Sequence, residues 1–157
     1  MDRVAIIALL FTTLACTPID GGAVEASWVV VTPDGRLISD CGCTCPPVAK
    51  VRLQLLPVGG GADPCAGRSA CSFSCNLQSG ATHFDITPGP YSISLVPMGA
   101  DGADLTGYAG TCGAPVGVDA IERDVSKGQV TQLPAMVVQA ECAAECGGTN
   151  NLSVCTK

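Results

Sequence analysis

Ten of the eleven cysteines in this 157-residue chain follow residue 40, and three of them crowd into five positions of the stretch CGCTCPP, residues 41 to 47. Cysteines at that density bind metal, perform redox chemistry or cross-link the chain, and the compartment decides among these uses. Zinc knuckles pair their cysteines as C-x(2-4)-C. Cys71-Ser-Phe-Ser-Cys75 and Cys142-Ala-Ala-Glu-Cys146 have that spacing, whereas the C-x-C steps joining Cys41, Cys43 and Cys45 do not.

The N-terminus bears on the compartment. It opens MDRVAIIALLFTTLACTPIDGG, in which one basic residue, Arg3, precedes 11 residues, Val4 to Leu14, that hold no charge, proline or glycine. A short apolar run behind a basic start has the form of a secretory signal. It is too short to span a bilayer, which takes about 20 residues. The alternative is a buried N-terminal strand or helix, but the run shows no amphipathic period.

At the end of the run, Thr13-Leu14-Ala15-Cys16 resembles the lipobox of bacterial lipoproteins, with Thr13 where that family usually has leucine. The resemblance implies a signal peptide over residues 1–15, cleavage before Cys16, a diacylglycerol on the Cys16 thiol and acylation of the new amino terminus. The same residues also suit an ordinary secretory peptidase, so plain secretion into the periplasm or beyond is the alternative. Parity points to Cys16 as well: 11 cysteines minus the lipidated one leaves 10, an even number that can pair completely.

An oxidising exterior turns the remaining cysteines into a disulfide framework. The candidates are Cys41, Cys43, Cys45, Cys65, Cys71, Cys75, Cys112, Cys142, Cys146 and Cys155. If 41 to 45 is extended, its three cysteines point to one face. A bridge across a single intervening residue is strained, so each is expected to reach its own distant partner. Ten cysteines allow about 945 pairings, and the connectivity stays open.

Nineteen glycines, 11 prolines and only 14% charged residues indicate many turns, and short alternating runs lie between them. In VEASWVVV, Val24, Ala26, Trp28 and Val30 share one face, and T-P-D-G follows with proline and glycine where a type I turn prefers them. In KVRLQLL, Val51, Leu53 and Leu55 alternate with polar residues. THFDI offers Thr82, Phe84 and Ile86 to one side; YSISLVP offers Tyr91, Ile93 and Leu95; QVTQLPAMVVQAEC offers Met136, Val138 and Ala140. The pattern predicts an all-β chain, a single antiparallel β-sandwich of Greek-key type with about seven strands, disulfide-stapled and with irregular cysteine-rich loops. A tether over 16–23, a sandwich over 24–140 and a cysteine-containing tail over 141–157 complete the expected organisation.

FDITPGPYSISLVPMGADG, residues 84 to 102, and the later Gly128-Gln129-Val130-Thr131-Gln132-Leu133 resemble phrases of carboxypeptidase-regulatory-like and transthyretin-like β-sandwich domains. In those domains an L-x-P-G-x-Y phrase joins two strands and a G-Q-x-T-x-L phrase leads into the last one. The resemblance spans most of 24 to 140 and implies a fold rather than an activity, because this sandwich hosts many functions. The insertion at 59 to 75 and the tail at 141 to 157 depart from the common pattern.

Catalysis has little to stand on. The one histidine, His83, falls in a strand-like segment on the side opposite Phe84, and no G-x-S-x-G, H-E-x-x-H or P-loop pattern occurs. Asp101 and Asp104 could offer oxygens to calcium, but the calcium-loop pattern is absent and glycine with aspartate is ordinary turn chemistry. Trp28 shares a face with Val24, Ala26 and Val30 and is expected in the core rather than as a sugar platform. A net charge of −6 and a pI near 4.4 argue against nucleic-acid binding and against charge-driven docking on an anionic membrane. The expectation is a non-enzymatic protein without cofactor or metal, held to the membrane through the lipid on Cys16. It would present loops such as 57 to 75 and 99 to 119 to a protein or glycan partner. Thr17, in place of aspartate after the lipidated cysteine, points to the outer membrane by resemblance to Gram-negative lipoproteins. The alternative is a secreted disulfide-rich inhibitor or ligand-binding module that uses the braced loop 59 to 75.

Overall fold

The computed structural model describes residues 19–108 and 112–141. The signal, Cys16 and the tail cysteines Cys142, Cys146 and Cys155 lie outside the described residues. The described chain is all-β, with strands β1 (Ala23–Val31), β2 (Leu37–Ile38), β3 (Lys50–Pro57), β4 (Ser72–Ser74) and β5 (Ser79–Ala81). There follow β6 (Gly89–Met98), β7 (Ile121–Val125), β8 (Val130–Gln132) and β9 (Met136–Gln139).

β1 is the spine of the first sheet. Its alternation sends Val24, Ala26, Trp28 and Val30 inward, none more than 2% exposed. The hairpin after it closes as T-P-D-G predicts: Gly35 N–H donates to the Thr32 carbonyl at 2.8 Å, and Gly35 takes a φ of +85°, which a side chain would oppose. Each half of β1 has a neighbour on either side. Antiparallel β5 and β2 line one edge, and β8 and β9 run parallel along the other. The second sheet is antiparallel throughout, in the order β4-β3-β6-β7.

Two details differ from the sequence expectation. The strands number nine among the described residues because QVTQLPAMVVQ divides at Leu133-Pro134-Ala135 into β8 and β9, the cysteine-rich insertion adds the short β4, and the segment after it adds β5. Proline has no N–H for a ladder, which explains the first division. The first sheet is mixed because the last strands return alongside the first in the same direction, an arrangement that needs a long crossover, here the whole second sheet.

The inward faces meet in one core. Val51, Leu53 and Leu55 of β3 are 0% exposed; Ile93 and Leu95 of β6 and Met136, Val138 and Ala140 at the C-terminal end are also buried. Phe73 of β4 closes the gap between the sheets, its ring centroid 6.2 Å from that of Trp28. It lies directly over Gly80, where a Cβ would stand 2.3 Å from the ring.

Other segments depart from their sequence-based reading. THFDI is a turn, not a strand: Thr82 and Ile86 are buried, whereas Phe84 is exposed. The Thr82 hydroxyl explains its burial, since it accepts the Val24 N–H at 2.9 Å. The fold also begins before Val24. Gly21 and Gly22 are buried and belong to the sandwich rather than to a tether, with Gly22 paired to Ile86.

At the start of β6, Tyr91 is buried and its hydroxyl donates to the Thr87 carbonyl at 2.8 Å, four residues upstream. This bond resembles the corner that tyrosines build in other sandwiches. Burial raises the pKa of Tyr91. The folded chain thus holds this proton more tightly than the unfolded chain does. The stability involved is fully present below the unfolded tyrosine value of about 10 and is lost as pH rises through the raised folded value. In an absorbance titration the Tyr91 step is expected to accompany alkaline unfolding, and Tyr91→Phe to remove that step while costing about 1 kcal/mol at neutral pH. Ionisation of Tyr91 at the ordinary value in the folded chain would contradict this.

Candidate functional site

CGCTCPP is a turn rather than an extended segment. Cys41–Cys43 form one turn of 3-10 helix, so Cys41, Cys43 and Cys45 do not share a face. The cause lies in side chains that compete with strand pairing. Asp40 caps the turn by accepting the Gly42 N–H at 2.9 Å, and Asn76 accepts the Cys41 N–H at 2.9 Å. Thr44 is fully buried: its hydroxyl lies 2.8 Å from the Cys41 carbonyl and 2.9 Å from that of Pro46, and it accepts the Val48 N–H at 2.8 Å.

Cys41 is buried and bonded to Cys75, 34 residues on, so the turn is fastened to the far end of the insertion. Cys65 and Cys71 bond each other, six residues apart, rather than the 41–45 cluster. Cys112 is also disulfide-bonded. Cys43 and Cys45 are half-buried beside this staple, and the Cys45 N–H donates to the Glu141 carbonyl at 2.9 Å.

The loop between β3 and β4 is held down at two points. β4 pairs only with Lys50 to Arg52 of β3, and beyond it the carboxylate of Asp63 takes over the edge. Asp63 Oδ1 accepts the N–H of Leu55 at 3.1 Å and that of Cys65 at 2.8 Å, while Oδ2 lies 3.2 Å from Arg52 Nη1. The Asp63 side chain is only 9% exposed and that of Arg52 17%, so this pair is shielded from water far more than the ordinary surface ion pair. Further along, Arg68 pairs with Asp85 in the THFDI turn.

These contacts were not anticipated from sequence. The Asp63-Pro64 step in GGGADPC is a turn-starting signal, but nothing in the string shows that the carboxylate reaches back to β3. An open groove of about 470 Å³ runs beside the loop, walled by Pro57, Pro64, Pro88, Pro90 and Tyr91.

The remaining candidate residues do not converge. His83 is exposed in its turn. Asp101 accepts the Ala103 N–H at 3.0 Å, and Asp104 accepts the N–H and hydroxyl of Thr106, so both carboxylates serve local turns. Among the described residues, no group of three or more His, Cys, Asp or Glu is placed to hold a metal ion. Asp34 is held below the usual carboxylate range, first by the Thr32 hydroxyl and then by Arg36, within the exposed β1–β2 hairpin. Trp28 lies in the core, its indole N–H donating to the Cys75 carbonyl at 3.0 Å.

What the geometry offers is a set of loops stiffened by covalent and polar contacts and mounted on a rigid sandwich. No family model, curated protein or solved structure matches the chain.

Removal of the Asp63 carboxylate would strand two N–H groups and a shielded guanidinium. Asp63→Ala is expected to destabilise the fold by about 2–4 kcal/mol in chemical denaturation. Asp63→Asn, which keeps an oxygen acceptor, should fall between it and the parent; equal stability of all three would contradict the role given to Asp63.

Proposed function

We propose that the protein is a lipid-anchored β-sandwich of the cell envelope, non-catalytic, that serves as a structural or interaction module. The observation that carries this reading is the use of the cysteines as cross-links. Cys41–Cys75 and Cys65–Cys71 tie loops to the sandwich, a use that suits an oxidising compartment. That is the destination the N-terminal signal specifies. Cys16 carries the acyl chains, and Thr17 after it directs the protein to the outer membrane.

The carboxypeptidase-regulatory-like resemblance is proposed for the sandwich alone. It is supported by the place of its phrases, with Tyr91 near the start of β6 and Gly128 to Leu133 leading through β8. A protein or glycan partner would meet loops such as the CGCTCPP turn, where the Cys41–Cys75 brace spares much of the ordering entropy that binding otherwise costs.

Intact mass spectrometry of protein purified from the bacterial membrane tests the reading. The expected mass begins at Cys16 and includes three acyl chains, and Cys41, Cys65, Cys71 and Cys75 take up alkylating reagent only after reduction. Cys16→Ser should leave the membrane fraction. A mature chain without lipid would overturn the anchor and favour a secreted module.

A further inference from the structure

The lipid anchor proposed above leaves open which part of the sandwich faces the membrane, and the exit point of the N-terminus decides it. Ile19 to Gly22 is clamped at one end of the molecule. Gly22 N–H donates to the Ile86 carbonyl at 2.8 Å, Gly128 N–H donates to the Gly21 carbonyl at 2.9 Å, and Lys127 pairs with Asp20 at 2.8 Å. Gly21 is wedged so closely against the turn of residues 83–86 that a Cβ on it would stand 2.7 Å from the Asp85 Cα. From Ile19 back to Cys16 there are three residue steps, which span at most about 11 Å when fully extended. A chain acylated at Cys16 cannot turn this end far from the bilayer.

The surface at this end suits that position. Val58 donates its N–H to the Pro90 carbonyl at the end of β3, and Phe84 forms part of the turn over Gly21. Ile19 and Val58 are each 52% exposed and Phe84 40%. Four of the charged groups here are tied in pairs, Lys127 with Asp20 and Arg68 with Asp85, which limits the bare charge presented to lipid.

We propose that the sandwich stands end-on, with Ile19, Val58 and Phe84 against the lipid surface and the CGCTCPP turn and β1–β2 hairpin pointing away. β1 rises about 3.3 Å per residue, so its far end lies about 26 Å further out. Apolar contacts of this kind add to the hold of acyl chains. The proposal rests on the lipid anchor.

The test uses full-length lipidated protein in phosphatidylcholine vesicles with brominated acyl chains, which quench tryptophan at short range. Native Trp28, buried in the core, is a constant background. Val58→Trp and Phe84→Trp report the proximal end, and Leu37→Trp, at a site 74% exposed and paired with Val31, reports the distal end. Loss of most of the added emission for the first two, with none for the third, is expected. Equal quenching at all three sites, quenching of Leu37→Trp alone, or none at any site in protein that floats with the vesicles would overturn the orientation and leave the anchor standing. Failure to float, or flotation of Cys16→Ser, would overturn the anchor reading and the orientation with it.

Discussion

The indole of Trp28 is the point on which the two sheets and the cysteine-rich insertion converge. It is 1% exposed, its ring meets Phe73 of the opposite sheet, and its N–H donates to the carbonyl of Cys75, the residue disulfide-bonded to Cys41. Its backbone N–H donates to the Gln78 carbonyl at 2.9 Å. Gln78 has a φ of +57°, the left-handed region a non-glycine residue enters only under local constraint. An indole buried without a partner for its N–H would be costly, so the loop must arrive where it does for β1 to close against β3 and β6. The insertion is therefore part of the core rather than an ornament on it.

The disulfides reinforce this arrangement at its longest loop. On the loop-entropy account, bridging the separation of 34 positions from Cys41 to Cys75 contributes about 4 kcal/mol, and bridging the six from Cys65 to Cys71 about 2 kcal/mol. These are large fractions of the stability of an ordinary domain. A domain stabilised in this way tolerates loops with little secondary structure and can hold them in place.

Much of the fold was legible because a strand with one buried face writes itself as alternation. Val24 to Val30, Val51 to Leu55, Tyr91 to Leu95 and Met136 to Ala140 follow it, and T-P-D-G announced its turn. THFDI misled because alternation over five residues also fits a turn: Thr82 and Ile86 are held by bonds to β1 and Gly22, whereas Phe84 stays exposed. CGCTCPP misled for another reason. Its conformation is set by Asp40, Asn76 and Thr44, and one of these lies 35 positions from the backbone it holds. The Asp63 contact with β3 was hidden in the same way, since a carboxylate that substitutes for a strand edge leaves no periodic trace. The parallel return of β8 and β9 beside β1 depends on topology, which periodicity does not encode.

The measurement that bears most directly on a sandwich stapled around Trp28 is the emission of this sole tryptophan through chemical denaturation, with the disulfides intact and after reduction. The oxidised protein should show a blue-shifted emission typical of a buried indole and a single cooperative transition. Reduction should lower the stability by about 4 kcal/mol or more, with the emission moving to that of a solvated indole at much lower denaturant. An unchanged transition after complete reduction would show that the cysteines do not hold the fold, and the staple reading of CGCTCPP would fall.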